Sequence, residues 1–356
     1  MDYSTTEPGP IFIGGPDRCG KTTLRAFLVS HPHISIPAVG SNMWSYFYGQ
    51  FGDLSQTANF ERCLDSLMHY KHVLFLKPDP DRIRKEFWQG SPTYARLFAL
   101  FLQHHAERDG KPRWGDQTGL IERYADQIFD AYPTAKMIYM LRDPRDRYEA
   151  SLTLWPNGKG RVGGATARWI YSTTLAMRNV RNYPDRFKIV RFETMIQKPE
   201  QTLLEVCRFL NEEYVPAMIT MEGEPNHRAK LIRNLDGKAG SILLSEDFIG
   251  LYKKTIIKHE IAFMQSFAGR KMLAFGYPLD PIRFSPFDRI AYTLLDWPLN
   301  LFRMVSWLSL ESVQRKMPAW FGRKPSPSMI IRHPIERKPN IDTEGINANV
   351  TEIKDS

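Results

Sequence analysis

Cysteine is scarce in this chain, and long apolar runs do not occur in it. The three cysteines, Cys19, Cys63 and Cys207, are too widely spaced to form a metal-binding motif or a disulfide framework. Such usage is typical of a reducing compartment, so we expect a cytoplasmic protein. No run of about 18 apolar residues is present, so no transmembrane helix is predicted. The first ten residues lack the charged start and apolar core of a signal peptide, and we expect none.

Acidic residues are outnumbered by basic ones. The 356 residues include 48 Lys and Arg against 39 Asp and Glu, giving a formal net charge of +9. This excess favours an anionic ligand, an acidic substrate or a negatively charged surface, without selecting among them. The basic residues cluster in loops and form no stripes interleaved with aromatics, so we expect no nucleic-acid partner.

Apolar strand-like segments alternate with helical segments along most of the chain. This order predicts an α/β fold with a P-loop-like, mostly parallel central sheet and helices on both faces. Ligands of such sheets bind beyond the carboxyl ends of the strands. We expect an N-terminal extension over 1–9, a main domain over 10–284, an amphipathic extension over 285–330 and a disordered tail over 331–356.

Local signals also predict several helix boundaries. Ser91, followed by Pro92, is typical of an N-cap and predicts a helix that ends at Ala106. Further helices are predicted over 148–154 and, as one continuous element, over 247–274. The aromatic stretch over 38–60 favours core packing over a pocket.

Residues 11–25 predict a strand, a Gly-rich turn and the start of a helix. Such a turn aims backbone N–H groups and the positive end of the helix at one point, which suits a phosphate or another oxyanion. Gly15 to Thr22 fits the P-loop pattern G-x-x-x-x-G-K-T. Additional donors and close-approach positions in the turn are Gly14, Arg18, Gly20, Lys21 and Thr23.

A second basic stretch follows the most apolar strand of the chain. The strand over 136–141 ends in Arg142, and Ser151 lies on the helix that comes next. A guanidinium and a hydroxyl in these positions are suited to share a second phosphate. Two basic loops at neighbouring strand ends therefore predict a ligand with two separated anionic groups.

These two stretches resemble the phosphate-binding motifs of the sulfotransferases that use 3′-phosphoadenosine 5′-phosphosulfate (PAPS). Residues 11–28, followed by Ser30-His31-Pro32, are similar to the family's 5′-phosphosulfate loop, and residues 137–151 are similar to its 3′-phosphate motif. Weaker similarity to the bacterial and tyrosylprotein-type branches occurs at 114–118, 191–193 and 198–203. The resemblance covers roughly residues 10–280.

The resemblance implies a sulfotransferase that moves the sulfuryl group of PAPS to a hydroxyl or amine, with PAPS as co-substrate and no metal. Arg18 takes the family's basic position nearest the sulfuryl group, so the resemblance implies a catalytic role for it. The 3′-phosphate would be held by Arg142 and Ser151. The 5′-phosphosulfate would be held by Gly15, Arg18, Cys19, Gly20, Lys21, Thr22 and Thr23.

The chain also departs from the family pattern. Lys21 stands where relatives commonly have Thr, and Ser151 lies one residue further from Arg142 than expected. Gln117 and Gly119 replace the Lys and Pro of a Lys-Thr-Pro element.

In the relatives that the sequence resembles, a glutamate shortly after the equivalent of Pro37 serves as general base. This chain has no glutamate there and reads Ala38-Val39-Gly40-Ser41-Asn42. A base must reach the acceptor's proton directly or through one water. Asp116, at a strand end, is the first substitute, with a loop-capping role as its alternative. Asp53 and the pair His104-His105 are the next candidates.

Two other functions remain open from the sequence. A P-loop kinase or NTPase would use Mg-ATP through the same Gly15–Thr22 stretch, but the best strand ends in Arg142, which suits a phosphate better than a metal. A non-catalytic PAPS-binding protein would be consistent with the absent glutamate.

Nothing in the sequence selects among a glycan, a lipid, a peptide and a small molecule as acceptor, and the oligomeric state is not predicted. Residues 285–323 mix apolar and aromatic side chains with arginine and lysine. This composition predicts peripheral membrane contact as one hypothesis, with core coverage or subunit pairing as the alternatives.

Overall fold

The computed structural model describes residues 8–225, 227, 232–233, 243–244 and 246–331. Its centre is a parallel sheet with the strand order β2-β3-β1-β4-β5. A polar, basic stretch over 222–245, whose composition predicts a loop, and the predicted tail over 331–356 lie mostly outside the described residues. The strands are β1 (Ile11–Gly14), β2 (Ile34–Ser35), β3 (Arg113–Gln117), β4 (Lys136–Leu141) and β5 (Phe187–Arg191).

Both faces of the sheet are covered, because alternate side chains of each strand enter different apolar clusters. Phe12 and Tyr139 pack on one face with the aromatic stretch, including Trp44. Ile13 and Met140 pack on the other face. In β1 and β4 a continuous apolar run therefore replaces the alternation of a half-exposed strand. The predicted fold class is confirmed. Trp44, Phe47 and Phe60 of the aromatic stretch pack in the core as predicted, but Trp44 and Tyr48 also line a pocket.

Most of the chain outside the sheet is helical. The helices before β4 are α1 (Lys21–Leu28), α2 (Met43–Tyr46), α3 (Thr57–Met68), α4 (Lys71–Leu74), α5 (Pro80–Phe87), α6 (Tyr94–Arg108) and α7 (Ala125–Ala131). Those after β4 are α8 (Pro144–Leu152), α9 (Val162–Asn182), α10 (Phe192–Gln197), α11 (Pro199–Leu210), α12 (Tyr252–Thr255), α13 (Lys258–Ala274), α14 (Pro286–Ala291), α15 (Trp297–Lys316) and α16 (Pro318–Phe321).

Three predicted helix boundaries are wrong. Helix α6 is capped by Thr93, whose hydroxyl accepts from the N–H of Arg96, and not by Ser91. Helix α8 begins at Pro144, because the side chain of Asp143 caps it. The continuous helix over 247–274 is interrupted by extended backbone at Ile256, so α12 and α13 are separate.

The C-terminal helix α15 packs along α9, the long helix beside the sheet. Its contacts include the ion pairs that Glu311 makes with Arg123 and Arg323. The segment boundaries given above remain predictions. Within the described ranges, no helix combines the length and apolarity needed to cross a membrane.

Candidate functional site

The turn between β1 and α1 has the backbone of an anion-binding loop. Gly15 and Gly20 have φ angles of 113° and 96°, and Arg18 also takes a left-handed conformation, with φ 64°. A side chain at position 20 would meet the ring of Phe192 at 2.3 Å, so glycine is required there. No described side chain caps α1 and its first turn holds no acid, so within the described residues the N–H groups of that turn have no side-chain acceptor.

A buried carboxylate fixes this loop from behind. Glu122 accepts a hydrogen bond from the N–H of Gly15 at 2.9 Å, and its other oxygen accepts from the hydroxyl of Ser172. Burial raises the pKa of Glu122. The sequence reasoning did not find this residue, because 107 positions separate the two partners.

The predicted side chains of the first loop differ in accessibility. Lys21 folds across the loop and donates to the carbonyls of Gly15 and Pro16 at 2.9 and 2.8 Å. Thr22 is exposed, whereas Thr23 is buried and lies 3.3 Å from the ring of His227. The thiol of Cys19 is buried, and burial raises its pKa. Cys19 therefore offers the loop its backbone and not a thiolate.

The two predicted phosphate loops meet. The guanidinium of Arg142 donates to the backbone carbonyl of Arg18 at 3.0 Å, and Nε of Arg18 donates to the carbonyl of Ala150 at 3.0 Å. Arg142 lies over the ring of Phe192, the residue that Gly20 also approaches. Burial lowers the pKa of Arg142, and its buried Nε has no hydrogen-bond partner among the described residues.

Ser151 lies beside this contact, on α8, half-buried. Its hydroxyl donates to the carbonyl of Tyr148 at 2.6 Å, a bond within its own helix. The preceding residue is Ala150, whose carbonyl accepts the hydrogen bond from Nε of Arg18. The unusual spacing noted in the sequence thus places the hydroxyl one residue beyond the point of contact between the loops.

Two further arginines converge on the first loop. Arg168 forms an ion pair with Asp17 at 2.8 Å. Arg147 is 2% exposed, and its Nε lacks a partner within the described part of the chain. Burial and the nearby Arg168 lower the pKa of Arg147 to about 10. With Lys21 and Arg18, these side chains give the loop a cationic excess that Asp17 only partly offsets.

The predicted general base Asp116 is fully buried at the end of β3. One carboxylate oxygen accepts from the N–H of Ser41 at 3.0 Å, and the other accepts from the hydroxyls of Ser41 and Thr118 at 2.5 and 3.1 Å. Burial raises the pKa of Asp116. Through these contacts Asp116 holds the segment that follows Pro37 against the end of β3. A catalytic role for Asp116 remains a prediction.

A histidine that sequence reasoning did not single out contacts the same segment. Nδ1 of His72 lies 2.8 Å from the carbonyl of Gly40 and 2.9 Å from the side-chain amide of Asn42. Asn42 in turn donates its N–H to Thr118. Burial lowers the pKa of His72, although the bond to Gly40 opposes this shift, so the ring is neutral at neutral pH.

The other base candidates lie in local contacts of their own. His104 is 2.8 Å from a carboxylate oxygen of Glu86 on α5. Asp53 accepts from the N–H and hydroxyl of Ser55 in an exposed turn. The structure shows no contact between either residue and the two loops within the described ranges.

One group of residues has the composition of a metal site. Ligand atoms of His31, His33 and Glu212 lie within 4.8 Å of one another. However, both ring nitrogens of His31 are hydrogen-bonded, and Arg113 already occupies one oxygen of Glu212 at 2.9 Å. Arg113 begins β3, so the group lies at the opposite end of the sheet from the two loops.

The fold and the site define a class: a parallel α/β protein in which a P-loop-like turn contacts the arginine-capped end of a neighbouring strand. Comparison with known proteins gives the family. The profile of the sulfotransferase family matches residues 10–216, more than half of the chain. The chain belongs to this family.

Individual relatives are distant. The chain is 23% identical over 229 residues to a protein-tyrosine sulfotransferase of Drosophila melanogaster, a match that covers 62% of this chain and 42% of that protein. The chain thus spans less than half the length of this curated relative.

Solved structures that resemble the chain include the sulfotransferase domain of the Synechococcus PCC 7002 olefin synthase, which is 18% identical in sequence. The match covers 71% of this chain and 97% of that domain, with a TM-score of 0.43. A Mycobacterium avium sulfotransferase shares 12% identity, with coverages of 78% and 79% and a TM-score of 0.45.

Proposed function

We propose that this protein transfers the sulfuryl group of PAPS to a hydroxyl or amine of an acceptor. One observation carries the proposal. The Arg142 guanidinium contacts the backbone of Arg18, so the two cationic loops lie side by side. A bisphosphorylated nucleotide carries anionic groups at both ends, and two adjacent cationic loops are complementary to it.

The residues present fit this co-substrate. The uncapped start of α1, with Lys21 and the hydroxyl of Thr22, would hold the 5′-phosphosulfate. Arg142, whose buried Nε lacks a partner among the described residues, would hold the 3′-phosphate with Ser151. PAPS supplies a sulfuryl group attached to a leaving phosphate.

Arg18 would supply the electrostatic part of catalysis. Its side chain is exposed at the tip of the loop and is held by the carbonyl of Ala150. A fixed cation at this point stabilises negative charge on the bridging oxygen as it develops, in the manner of phosphoryl transfer. No metal is needed for this role, because Arg18 and Lys21 already provide positive charge at the turn.

For the general base, we propose His72 in preference to Asp116. Both touch the segment where relatives carry glutamate, but both oxygens of Asp116 already accept hydrogen bonds. His72 is half-buried and neutral, and with the proton on Nδ1 its Nε2 is an acceptor. Asp116 would position the segment that His72 contacts.

The kinase alternative is disfavoured by the same geometry. A P-loop kinase holds Mg²⁺ with an aspartate at a strand end near the loop threonine. Asp116 is bound to Ser41 and Thr118, and Asp143 is bound to Arg145 at 2.7 Å. Membership of the sulfotransferase family also points away from ATP.

Two measurements test the proposal. Adenosine 3′,5′-bisphosphate at about 100 times its Kd should add roughly 2.7 kcal/mol of stability and raise the melting temperature by several degrees, whereas Mg-ATP should raise it less. In the second measurement, the protein should transfer radiolabelled sulfate from PAPS to acceptors in a lysate. Stabilisation without any transfer would favour the non-catalytic alternative, and stabilisation by Mg-ATP alone would contradict the proposal.

A further inference from the structure

Helix α15 presents large apolar side chains on both of its sides. Met304 is buried and Leu301 and Trp307 pack against the protein, while other apolar side chains of the helix face solvent. An ordinary surface helix has a polar outer side instead. On the inward side, Asn300 and Glu311 are 3% and 2% exposed. On the outward side, Phe302 is 69% exposed. Leu299, Val305, Leu310 and Val313 are also exposed.

Specific polar contacts fix this orientation. Asn300 accepts from the N–H of Gly163 at 3.0 Å, at the start of α9. Glu311 binds the buried guanidinium of Arg123 at 2.5 Å and also binds Arg323. Rotating α15 to bury its exposed apolar side chains would break these contacts and leave Arg123 without its counter-ion. The outward direction of the apolar side chains is therefore set by the fold.

The exposed apolar surface continues on both sides of α15. We call it the outer apolar face. Its members are exposed large apolar residues in and around α14, α15 and α16: Phe287, Ile290, Leu294, Leu295, Leu299, Phe302, Val305, Leu310, Val313 and Trp320. Many large exposed apolar residues concentrated in one segment are typical of an interaction site.

The charges around the outer apolar face are of one sign, with one exception. Arg289, Arg315 and Lys316 are exposed. Glu311 is turned inward, and Asp296 is paired with His259 at 2.5 Å. The one other acid of residues 286–324 is Asp288, which is exposed.

We propose that the outer apolar face docks on the surface of an anionic lipid bilayer, with α14 and α15 lying in the plane of the interface. Exposed apolar side chains with a cationic border are complementary to acyl chains beneath anionic headgroups. A second copy of the chain is a poorer occupant. A two-fold interface brings each patch against its own counterpart, which would place the cations of both copies together.

Vesicle binding tests this proposal on the full-length chain. Sedimentation with phosphatidylcholine vesicles is compared with sedimentation with vesicles that contain about 30% phosphatidylserine. The chain should bind the anionic vesicles. Leu299→Ser, Phe302→Ser and Val305→Ser together should lower the partition coefficient by about two orders of magnitude or more, because each loses apolar burial. Arg315→Gln with Lys316→Gln should lower it about 30-fold, since each cation contributes roughly fivefold.

A matched control changes exposed leucines elsewhere. Leu204→Ser with Leu273→Ser removes side chains that are 46% and 57% exposed on α11 and α13, and binding should be unchanged. Melting temperatures of all variants show whether they fold. Absence of binding by the natural chain, or equal loss in the control, would overturn the proposal. Equal binding to neutral vesicles would overturn its electrostatic part. A dimer in sedimentation velocity that the triple serine variant abolishes, without vesicle binding, would assign the face to a second copy.

Discussion

Arg147 shows how a single buried side chain reports on the site around it. It is a buried cation, and its one hydrogen bond to another described residue is a long one, to the carbonyl of Ala165 at 3.5 Å. A buried charge with so little compensation lowers stability, and an anion bound nearby would offset that cost. We therefore expect Arg147 to lower the free energy of unfolding of the free protein and to increase its affinity for an anion.

Arg147→Met should accordingly stabilise the free protein and weaken its ligand complex. We expect the free energy of unfolding to rise by roughly 1–2 kcal/mol, at the low end for replacing buried charges by apolar groups. Affinity for adenosine 3′,5′-bisphosphate should fall about tenfold by calorimetry, which corresponds to about 1.4 kcal/mol of lost binding free energy. Arg181→Met, on the exposed end of α9, is the control. Unchanged affinity in Arg147→Met would remove this residue from the anion site.

Replacing Arg18 and replacing Arg142 should change different kinetic parameters. Arg18→Ala should lower kcat about 100-fold to 1000-fold, because a donor aimed at developing charge is worth roughly 2.7–4 kcal/mol. Arg142→Ala should mainly raise KM for PAPS. Steady-state kinetics with PAPS as the varied substrate measures both. If both variants showed the same fall in kcat and the same rise in KM for PAPS, this division of roles would be wrong.

His72 should determine the acid limb of the pH profile. Because burial lowers its pKa below about 6.5, the base form persists through neutral pH and activity should fall only at lower pH. His72→Gln should lower kcat at least about 100-fold and abolish this limb. Asp116→Asn should instead lower the melting temperature and keep the limb. A limb that survives in His72→Gln and disappears in Asp116→Asn would reverse the two roles.

At the scale of elements, the turn between β1 and α1 depends on a distant helical turn. Glu122→Ala would leave the N–H of Gly15 and the hydroxyl of Ser172 without their acceptor, which costs about 1–3 kcal/mol. Glu122→Gln keeps an acceptor for Gly15, so it should retain most of the stability and PAPS affinity that Glu122→Ala loses. Urea denaturation and KM for PAPS check this pair. Equal behaviour of both variants would show that Glu122 does not hold the loop.

The elements that sequence predicted well are those whose signals are local. The strand, the Gly-rich turn and Lys21 lie within a dozen residues, and the apolar run of β4 leads directly to Arg142. Thr93 was missed as a cap because Ser91 and Pro92 give an equally typical local signal. Glu122, Arg147 and His72 were missed because their partners are brought to them only by the packed sheet.

At the scale of the whole molecule, Glu311 joins the C-terminal helix to the sheet domain. Burial opposes the charge on Glu311, but Arg123 and Arg323 together lower its pKa below the usual value. A lowered carboxylate pKa contributes stability above the unfolded-state pKa of about 4.5, and that contribution is lost as pH falls through the folded-state value.

Glu311→Ala should therefore destabilise the protein by about 3–5 kcal/mol at pH 7, because it leaves buried Arg123 unpaired. The difference from the natural chain should shrink as pH falls below about 4.5. Thermal denaturation at several pH values measures this. Glu246→Ala, at an exposed acid elsewhere, serves as the control. A loss below about 1 kcal/mol would mean that α15 is an appendage that the main domain does not need.

In the proposed complex, both cationic loops of this molecule hold one and the same nucleotide. Calorimetric titration of adenosine 3′,5′-bisphosphate into the natural chain, Arg18→Ala and Arg142→Ala tests it directly. We expect one site per chain, with weaker binding in both variants and the larger loss of affinity in Arg142→Ala. Two independent sites, or natural affinity in Arg142→Ala, would contradict it.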